Sequence, residues 1–464
     1  MEKLKILFVT LFLFSSFQTV YAQKQTADLI IAGGTVVTMD ATRRVVENGA
    51  VAVNGNKIVA VGTNAEIARQ YLAKRSINAR GKFVIPGLIN THTHIPMTLF
   101  RGISDDLDLN EWLTKYIFPA EAKNVSEAFV RAGTRLGLAE MIRGGTTAYC
   151  DMYYFEDAIA DETFKAGVRG ILGETVIQFP VADNKTPADA LIYSEKYINK
   201  WKNNSLITPA IAPHAPYTLS TEDLLKVKNA ADRLNAPVLI HVAETQTEVE
   251  TITKNYAARP VAYLDKIGFL NDRVVAAHVV FADESELNIL KTRGVGVAHN
   301  PQSNMKLASG VAPVPEMLLK DVAVGLGTDG AASNNDLNLW EEMDAAAKLH
   351  KVFAKNPRVV TAEQAFEMAT IRAARALHLE DKIGSLEAGK LADIVIVDAD
   401  NLHQTPRYNV YSSLVYATKA SDVSTVVING RIVMFNKSLL TLRESAIKKD
   451  ANIFRQRIIN SLAN

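Results

Sequence analysis

Lys82-Phe-Val-Ile-Pro-Gly-Leu-Ile-Asn-Thr-His-Thr-His94 is the stretch on which the fold turns. An apolar run, read as a buried strand over Lys82–Ile89, leads into two histidines spaced i, i+2. Residues two apart share a face of an extended strand, so both rings address one point. Outward from it, strand-like runs recur at Thr146–Asp151, Arg169–Glu174, Leu206–Ala212, Pro237–His241, Val274–Val280, Gly294–Ala298 and Val322–Gly327. Helical stretches such as Glu127–Ile142, Thr221–Leu234, Glu284–Thr292 and Leu337–His350 separate them. Eight β/α units predict a (β/α)8 TIM barrel over residues 86–384, within the α/β class. A doubly wound sheet is the alternative, but no Gly-rich phosphate turn follows the first strand.

The flanks of the barrel have another texture. Asp28-Leu-Ile-Ile-Ala32 reads as a strand ending in a turn at Gly33-Gly34, and Val36–Met39, Gly49–Val53 and Lys57–Val61 follow, with Asn54-Gly55 as a hairpin signal. Ala392–Val397 and Val423–Ile428, then Asn429-Gly430 and Ile432-Val433, repeat this at the other end. Neither set has enough strands to bury a face alone. Residues 26–85 and 385–440 are therefore predicted to share one small β-sandwich domain, with a C-terminal helix over 441–464. At the N-terminus, Lys3 and Lys5 precede an apolar run from Ile6 to about Phe17, and Val20-Tyr21-Ala22 offers a cleavage site. Residues 1–22 thus read as a signal peptide, too short for the roughly 20 apolar residues of a spanning helix. An exported chain, periplasmic or secreted and with no stable membrane span after cleavage, is the expectation.

Composition excludes several classes. The chain has 464 residues, 48% of them hydrophobic, enough for more than one average domain. Lys+Arg (51) nearly cancels Asp+Glu (50), which gives nucleic acid no basic surface to bind. The single cysteine, Cys150, permits no internal disulfide and excludes the zinc deaminase design that needs P-C-x-x-C. Homo-oligomerisation is compatible with the sequence and not specified by it.

Of nine histidines, six fall at predicted strand ends: His92, His94, His214, His241, His278 and His299. The other strand ends carry Asp151, Glu174 and Asp329. In a (β/α)8 barrel these are the catalytic positions. A single histidine such as His241, after Val238-Leu-Ile240, is more often a satisfied core residue. Asp329 as an N-cap would stand too far ahead of its helix. Together, His92, His94, His241 and Asp329 make three imidazoles and one carboxylate, a set suited to Zn²⁺, with Fe²⁺ or Mn²⁺ as weaker options.

Pro86-Gly-Leu-Ile-Asn-Thr-His-Thr-His94, His214-Ala-Pro-Tyr217, His241-Val-Ala-Glu244, Ala277-His278, His299-Asn-Pro-Gln-Ser-Asn-Met-Lys-Leu307 and Gly327-Thr-Asp-Gly-Ala-Ala-Ser-Asn-Asn335 resemble the amidohydrolase superfamily. More narrowly they resemble its 5′-methylthioadenosine/S-adenosylhomocysteine deaminase group, close to the triazine chlorohydrolases. The resemblance runs from about Ile30 to about Val433. It implies one metal, because strand 4 leads into Pro213-His214 with no bridging lysine. It implies deamination, because Asp329 is retained. It also implies that Glu244 passes a proton to the ring nitrogen, that Trp112 packs on the substrate, and that Glu121 accepts from both ribose hydroxyls, as two carboxylate oxygens suit. The bland readings are a surface carboxylate for Glu244 and a core tryptophan for Trp112.

In the chemistry so implied, Asp329 takes the proton of the attacking water and His278 orients that water and stabilises the developing charge. His214 is expected to point at the substrate, and His299, Asn300 and Asn304 to line the site. The substrate expected is 5′-methylthioadenosine, adenosine or S-adenosylhomocysteine; the segment Gly173–Asn184 has no Arg to meet a homocysteine carboxylate, which favours methylthioadenosine, adenosine or a related purine unless a Lys of the following segment or a neighbouring subunit serves. Two other readings stay open. One is an amidohydrolase acting on a C–N or C–Cl bond of another heteroaromatic ring, such as a pterin, a guanine-like base or a triazine. The other, remote, is a non-catalytic periplasmic binding protein.

Overall fold

Gly87 divides what the sequence suggested was one strand. In the computed structural model, which describes residues 23–462, Lys82–Pro86 pairs with Ile394–Asp398, while Leu88–Thr93 pairs with Thr146–Tyr153 in a different sheet. The chain crosses between them with the Gly87 N–H donating to the Asp393 carbonyl (2.9 Å) and the Leu88 N–H to the Gly145 carbonyl (3.1 Å). A Cβ at Gly87 would lie 2.0 Å from Thr147 Oγ1, so the crossing excludes any larger residue. The expected strand Lys82–Ile89 is thus corrected to two.

The second sheet has eight parallel strands in chain order. They are β1 (Leu88–Thr93), β2 (Thr146–Tyr153), β3 (Arg169–Val176), β4 (Ile207–Pro213), β5 (Val238–Val242), β6 (Val274–His278), β7 (Gly296–His299) and β8 (Ala323–Leu326). The first and last approach through side chains and one peptide bond. Thr328 N–H donates to Asn90 Oδ1 (3.1 Å), Asn90 Nδ2 donates to Thr328 Oγ1 (2.8 Å), and the Asp329 N–H donates to the His92 carbonyl (3.0 Å). This near-closed TIM barrel is the architecture expected. Its interior holds Ile89, Cys150, Ile171, Ala210, Leu239, Val275 and Ala298, while the alternate residues Ile240, Ala276, Val297 and Val324 pack outward on the helices.

Both chain ends build the other sheet, which is mixed and nine-stranded. Lys82–Pro86 is its seam, lying between Gln25–Val37 and Ile394–Asp398. The expected sandwich halves are therefore joined edge to edge, and they share one apolar cluster of Ile31, Val51, Ile58, Val84, Ile394 and Val427. The turn expected at Gly33-Gly34 is instead a bulge inside one strand, Gln25–Val37, with Gly33 at φ +87° and the register slipping on both sides of Gly34. Glu444–Leu462 is the expected C-terminal helix. It lies on Glu127–Arg143, with the Phe454 and Phe129 rings 5.7 Å apart edge to face. The signal peptide read over 1–22 lies outside the described residues. Among the described residues, no helix is long and apolar enough to cross a membrane.

A buried ion pair ties the two sheets together. Arg169 at the start of β3 meets Asp393 through Nε–Oδ2 (3.0 Å) and Nη2–Oδ1 (3.2 Å), and Asp393 Oδ1 also accepts the Asn429 N–H (2.7 Å). Both side chains are at least nine-tenths buried, so removing one partner strands a charge. Asp393→Ala should cost about 3–5 kcal/mol and lower Tm by several degrees in calorimetry, whereas Arg169→Met with Asp393→Leu should recover most of the loss.

Candidate metal centre and substrate pocket

The barrel mouth gathers histidines because the strands end there. His241 follows Leu239 on the inward face of β5, as period-two alternation requires. The register of β1 against β2 breaks between Asn90 and Thr93, and His92 and His94 lie at and beyond that break. Asp151 secures this turn, since its Oδ1 accepts from Thr93 Oγ1 (2.6 Å) and from the Ile95 N–H (2.6 Å). His278 would face outward by alternation with Ala277, but its φ of +70° swings it to the mouth. Asp329 is likewise left-handed, at φ +60°.

The resulting cluster is buried. Ligand atoms of His92, His94 and His241 lie within 4.8 Å of one another, as do those of His92, His278 and Asp329. Asp329 Oδ1 sits 3.3 Å from His92 Nε2 and 3.2 Å from His94 Nε2. The Nδ1 of His94 donates to the Met152 carbonyl (2.6 Å), and that of His241 donates to the His214 carbonyl (2.7 Å). Each carbonyl can only accept, so both Nδ1 atoms carry protons and the two Nε2 atoms face each other at 3.3 Å with room for one proton or one cation to serve both. Buried His92 Nε2 has no hydrogen-bond partner. Burial holds His92 down at about 4 and His241 well below the ordinary imidazole value, whereas at His94 the Asp329 carboxylate outweighs burial and raises the ring to about 9, so the one positive charge the cluster accepts without an ion sits on His94. A divalent cation fits this donor set, and Zn²⁺ fits its imidazole-rich, thiolate-free chemistry.

Around the cluster is a pocket lined by Trp112, Glu121, Tyr153, His214, Glu244, His278 and Asp329, among others. Glu244 is buried with Oε2 3.8 Å from His278 Nε2, and its carboxyl is pushed above the usual range by burial, against the pull of His278. Its placement depends on Glu248, whose two oxygens accept the backbone N–H groups of Ala243 (2.7 Å) and Glu244 (2.9 Å). Burial raises the Glu248 carboxyl to about 8. Glu121 is buried with Oε1 accepting from the Tyr153 hydroxyl (2.6 Å), and burial lifts it to about 7. Trp112 lies 5% exposed in a π-helical turn over Trp112–Ile117, at once core and pocket wall. His214 also faces the pocket, its ring 4.9 Å from that of His241.

Two residues read as substrate contacts lie elsewhere. Ala298 faces the barrel interior, so His299 faces out, and its Nε2 is 3.0 Å from His350 Nε2 on the helix Leu339–Phe353. Asn304 stands behind His278, with Oδ1 2.9 Å from its Nδ1. Neither lines the pocket. The groups that sequence reading left without a role are Asp151, Glu248, Ser303 and Ser333. Asp151 stood at a strand end, but the groups these four bond, peptides and a hydroxyl for Asp151 and Glu248 and the Asp329 carboxylate for the two serines, leave no local pattern.

Residues 83–433 match the amidohydrolase family. The chain belongs to the amidohydrolase family. It is 48% identical over 416 residues to a 5-methylthioadenosine/S-adenosylhomocysteine deaminase of Syntrophobacter fumaroxidans, covering 90% of this chain and 95% of that one. It is 45% identical to a 5′-deoxyadenosine deaminase of Methanocaldococcus jannaschii, over 86% of this chain and 94% of the relative. In structure it resembles an adenosine deaminase from Xanthomonas campestris with bound zinc, at a TM-score of 0.93 and 38% identity, covering 94% of this chain and all of that one.

Zinc bound at this cluster stabilises the fold by mass action, by about 2.7 kcal/mol at a free concentration 100-fold over Kd. Chelation of the purified chain should therefore lower Tm and zinc should restore it. His241→Ala should abolish the zinc-dependent shift, and a shift of wild-type size in that variant would show that the cluster is not the binding site.

Proposed function

We propose that this amidohydrolase is a metal-dependent deaminase of an aminopurine nucleoside, replacing the ring amino group with oxygen and releasing ammonia. The observation that carries the reading is the pairing, in one pocket, of Glu244 and His278 over the histidine–aspartate cluster with a second buried carboxylate, Glu121. The names of the relatives point to the same substrate class. His92, His94, His241 and Asp329 would hold Zn²⁺, which when bound supplies water activated at neutral pH. Asp329 receives the proton of the attacking water. Glu244 delivers a proton to the ring nitrogen as the C–O bond forms; the departing amine then takes the proton held by Asp329 as the C–N bond breaks, and the new hydroxyl returns a proton to Glu244 as it becomes the ring carbonyl. His278 holds the nucleophile by a hydrogen bond from its pocket-facing side. Glu121 accepts from the ribose hydroxyls, and Trp112 and Tyr153 wall the nucleoside from solvent.

The pocket wall contains no Lys or Arg among the described residues. Lys185 lines a neighbouring cleft of about 330 Å³ that shares Phe118, Glu121 and Tyr154 with the pocket. The wall itself suits short, uncharged 5′ groups, as in methylthioadenosine, deoxyadenosine or adenosine, while Lys185 in the adjoining cleft is the kind of cation that a homocysteine carboxylate would require. Zinc-loaded chain assayed for ammonia on adenine nucleosides, pterins, guanine and triazines should act on the nucleosides. Glu244→Gln should keep its zinc and lose about 10²–10⁴-fold in kcat. Turnover confined to another ring overturns the substrate, and zinc loss in Glu244→Gln overturns the division between ligand and proton carrier.

Export belongs to the same proposal and is supported by the charged, then apolar, opening of the chain up to Ala22. Full-length chain expressed in a Gram-negative host should appear in the periplasmic fraction with Gln23 as its first residue by N-terminal sequencing. An intact Met1 in the cytoplasm overturns it.

A further inference from the structure

The short helix Pro301–Lys306 delivers consecutive side chains to two different groups of the site. Asn304 Oδ1, an acceptor, lies 2.9 Å from His278 Nδ1, closer than Asn300 Nδ2, a competing donor 3.3 Å from the same nitrogen, so the shorter contact sets the tautomer. An amide oxygen only accepts, so it requires a proton on Nδ1 and leaves Nε2, the nitrogen toward Glu244, as the bare acceptor of the neutral ring. The neighbouring Ser303 donates to Asp329 Oδ2 (2.7 Å), and Ser333, from the loop after β8, donates to the same oxygen (2.7 Å). Two hydroxyls thus occupy Oδ2, while Oδ1 faces His92 and His94. Asn304 and Ser303 are buried and none of the three touches a position where substrate would lie except Ser333, at the pocket edge.

We propose that Asn304, Ser303 and Ser333 are positioning residues for the reaction: Asn304 fixes the tautomer of His278, and the two serines fix Asp329 with a single oxygen toward the metal side. The assignment of these roles to catalysis rests on the deaminase reading above, whereas their effect on ring tautomer and on carboxylate orientation does not. Histidine carrying the wrong tautomer presents N–H where an acceptor is needed, so loss of Asn304 acts on turnover rather than on binding. An Asp329 free to rotate can offer both oxygens, so loss of the serines acts on the metal.

The test uses the full chain loaded with Zn²⁺ or Co²⁺. Asn304→Leu should lower kcat about 10–100-fold with KM within about threefold and with zinc content and Tm retained. Asn304→Asp, which keeps an acceptor at that point, should restore kcat to within about fivefold. Imidazole ¹⁵N shifts of His278 should report Nδ1–H in the wild type and a mixture in Asn304→Leu. Ser303→Ala with Ser333→Ala should weaken zinc about 10–100-fold in chelator competition and shift the visible bands of the Co²⁺ form. If leucine prevents folding, Asn304→Ala carries the same expectations. Asn304→Asp as slow as Asn304→Leu, an unchanged His278 tautomer in Asn304→Leu, or a double serine variant with wild-type zinc affinity and Co²⁺ spectrum overturns the proposal. Absence of ammonia release by the wild type would overturn the deaminase reading alone, since the ¹⁵N and Co²⁺ readouts still decide the positioning roles.

Discussion

Two imidazole Nε2 atoms facing each other at 3.3 Å inside a protein are the constraint around which this structure is arranged. In water either ring would rotate or take a proton. Here the carbonyls of Met152 and His214 hold the Nδ1–H of His94 and His241, and burial opposes protonation of His241. The donor set is preorganised for a cation, because the folded chain aims these nitrogens at one point and a bound ion takes the place of the proton that Asp329 draws onto His94. The carboxylate of Asp329 completes the charge balance from the far side of the barrel seam.

Holding that arrangement requires backbone that ordinary residues avoid. Ala243, His278, Val279 and Asp329 all have φ between +48° and +70°, and all lie within or beside the site. Each such residue costs of the order of 1–3 kcal/mol, and persists only where the surroundings over-determine it. The surroundings here are identifiable. Glu248 grips the peptides of Ala243 and Glu244, Asp151 grips the turn through Thr93 and Ile95, and the peptide of Asp329 closes the barrel against His92. Buried carboxylates used as peptide anchors thus account for charges that would otherwise be costly in a barrel end.

The outer sheet contributes at a distance. Its seam strand, Lys82–Pro86, runs through Gly87 directly into β1, so the strand that carries His92 is covalently continuous with the domain interface. Arg169 and Asp393 fasten the neighbouring part of the barrel to the same sheet. The entry of β1, and with it the angle at which His92 and His94 leave it, is set from outside the barrel.

The alternation of apolar strands with helices, the Asn54-Gly55 hairpin, and histidines at successive strand ends were legible because each is a local pattern with a fixed period. So was the gathering of His92, His94, His241 and Asp329, with Glu244 beside them, because such residue types are rare at strand ends. Tertiary structure alone decided the rest. Period two turned His299 away from the pocket toward His350 once Ala298 was known to face inward, and a positive φ turned His278 back toward it. Gly87 ended a strand that reads as continuous, because only the packed Thr147 shows that no side chain fits. The partners of Asp151, Glu248, Ser303 and Ser333 were invisible in sequence for a common reason. A buried hydrogen bond is specified by the approach of two atoms in space, and one-dimensional spacing carries that information only when both lie on the same element.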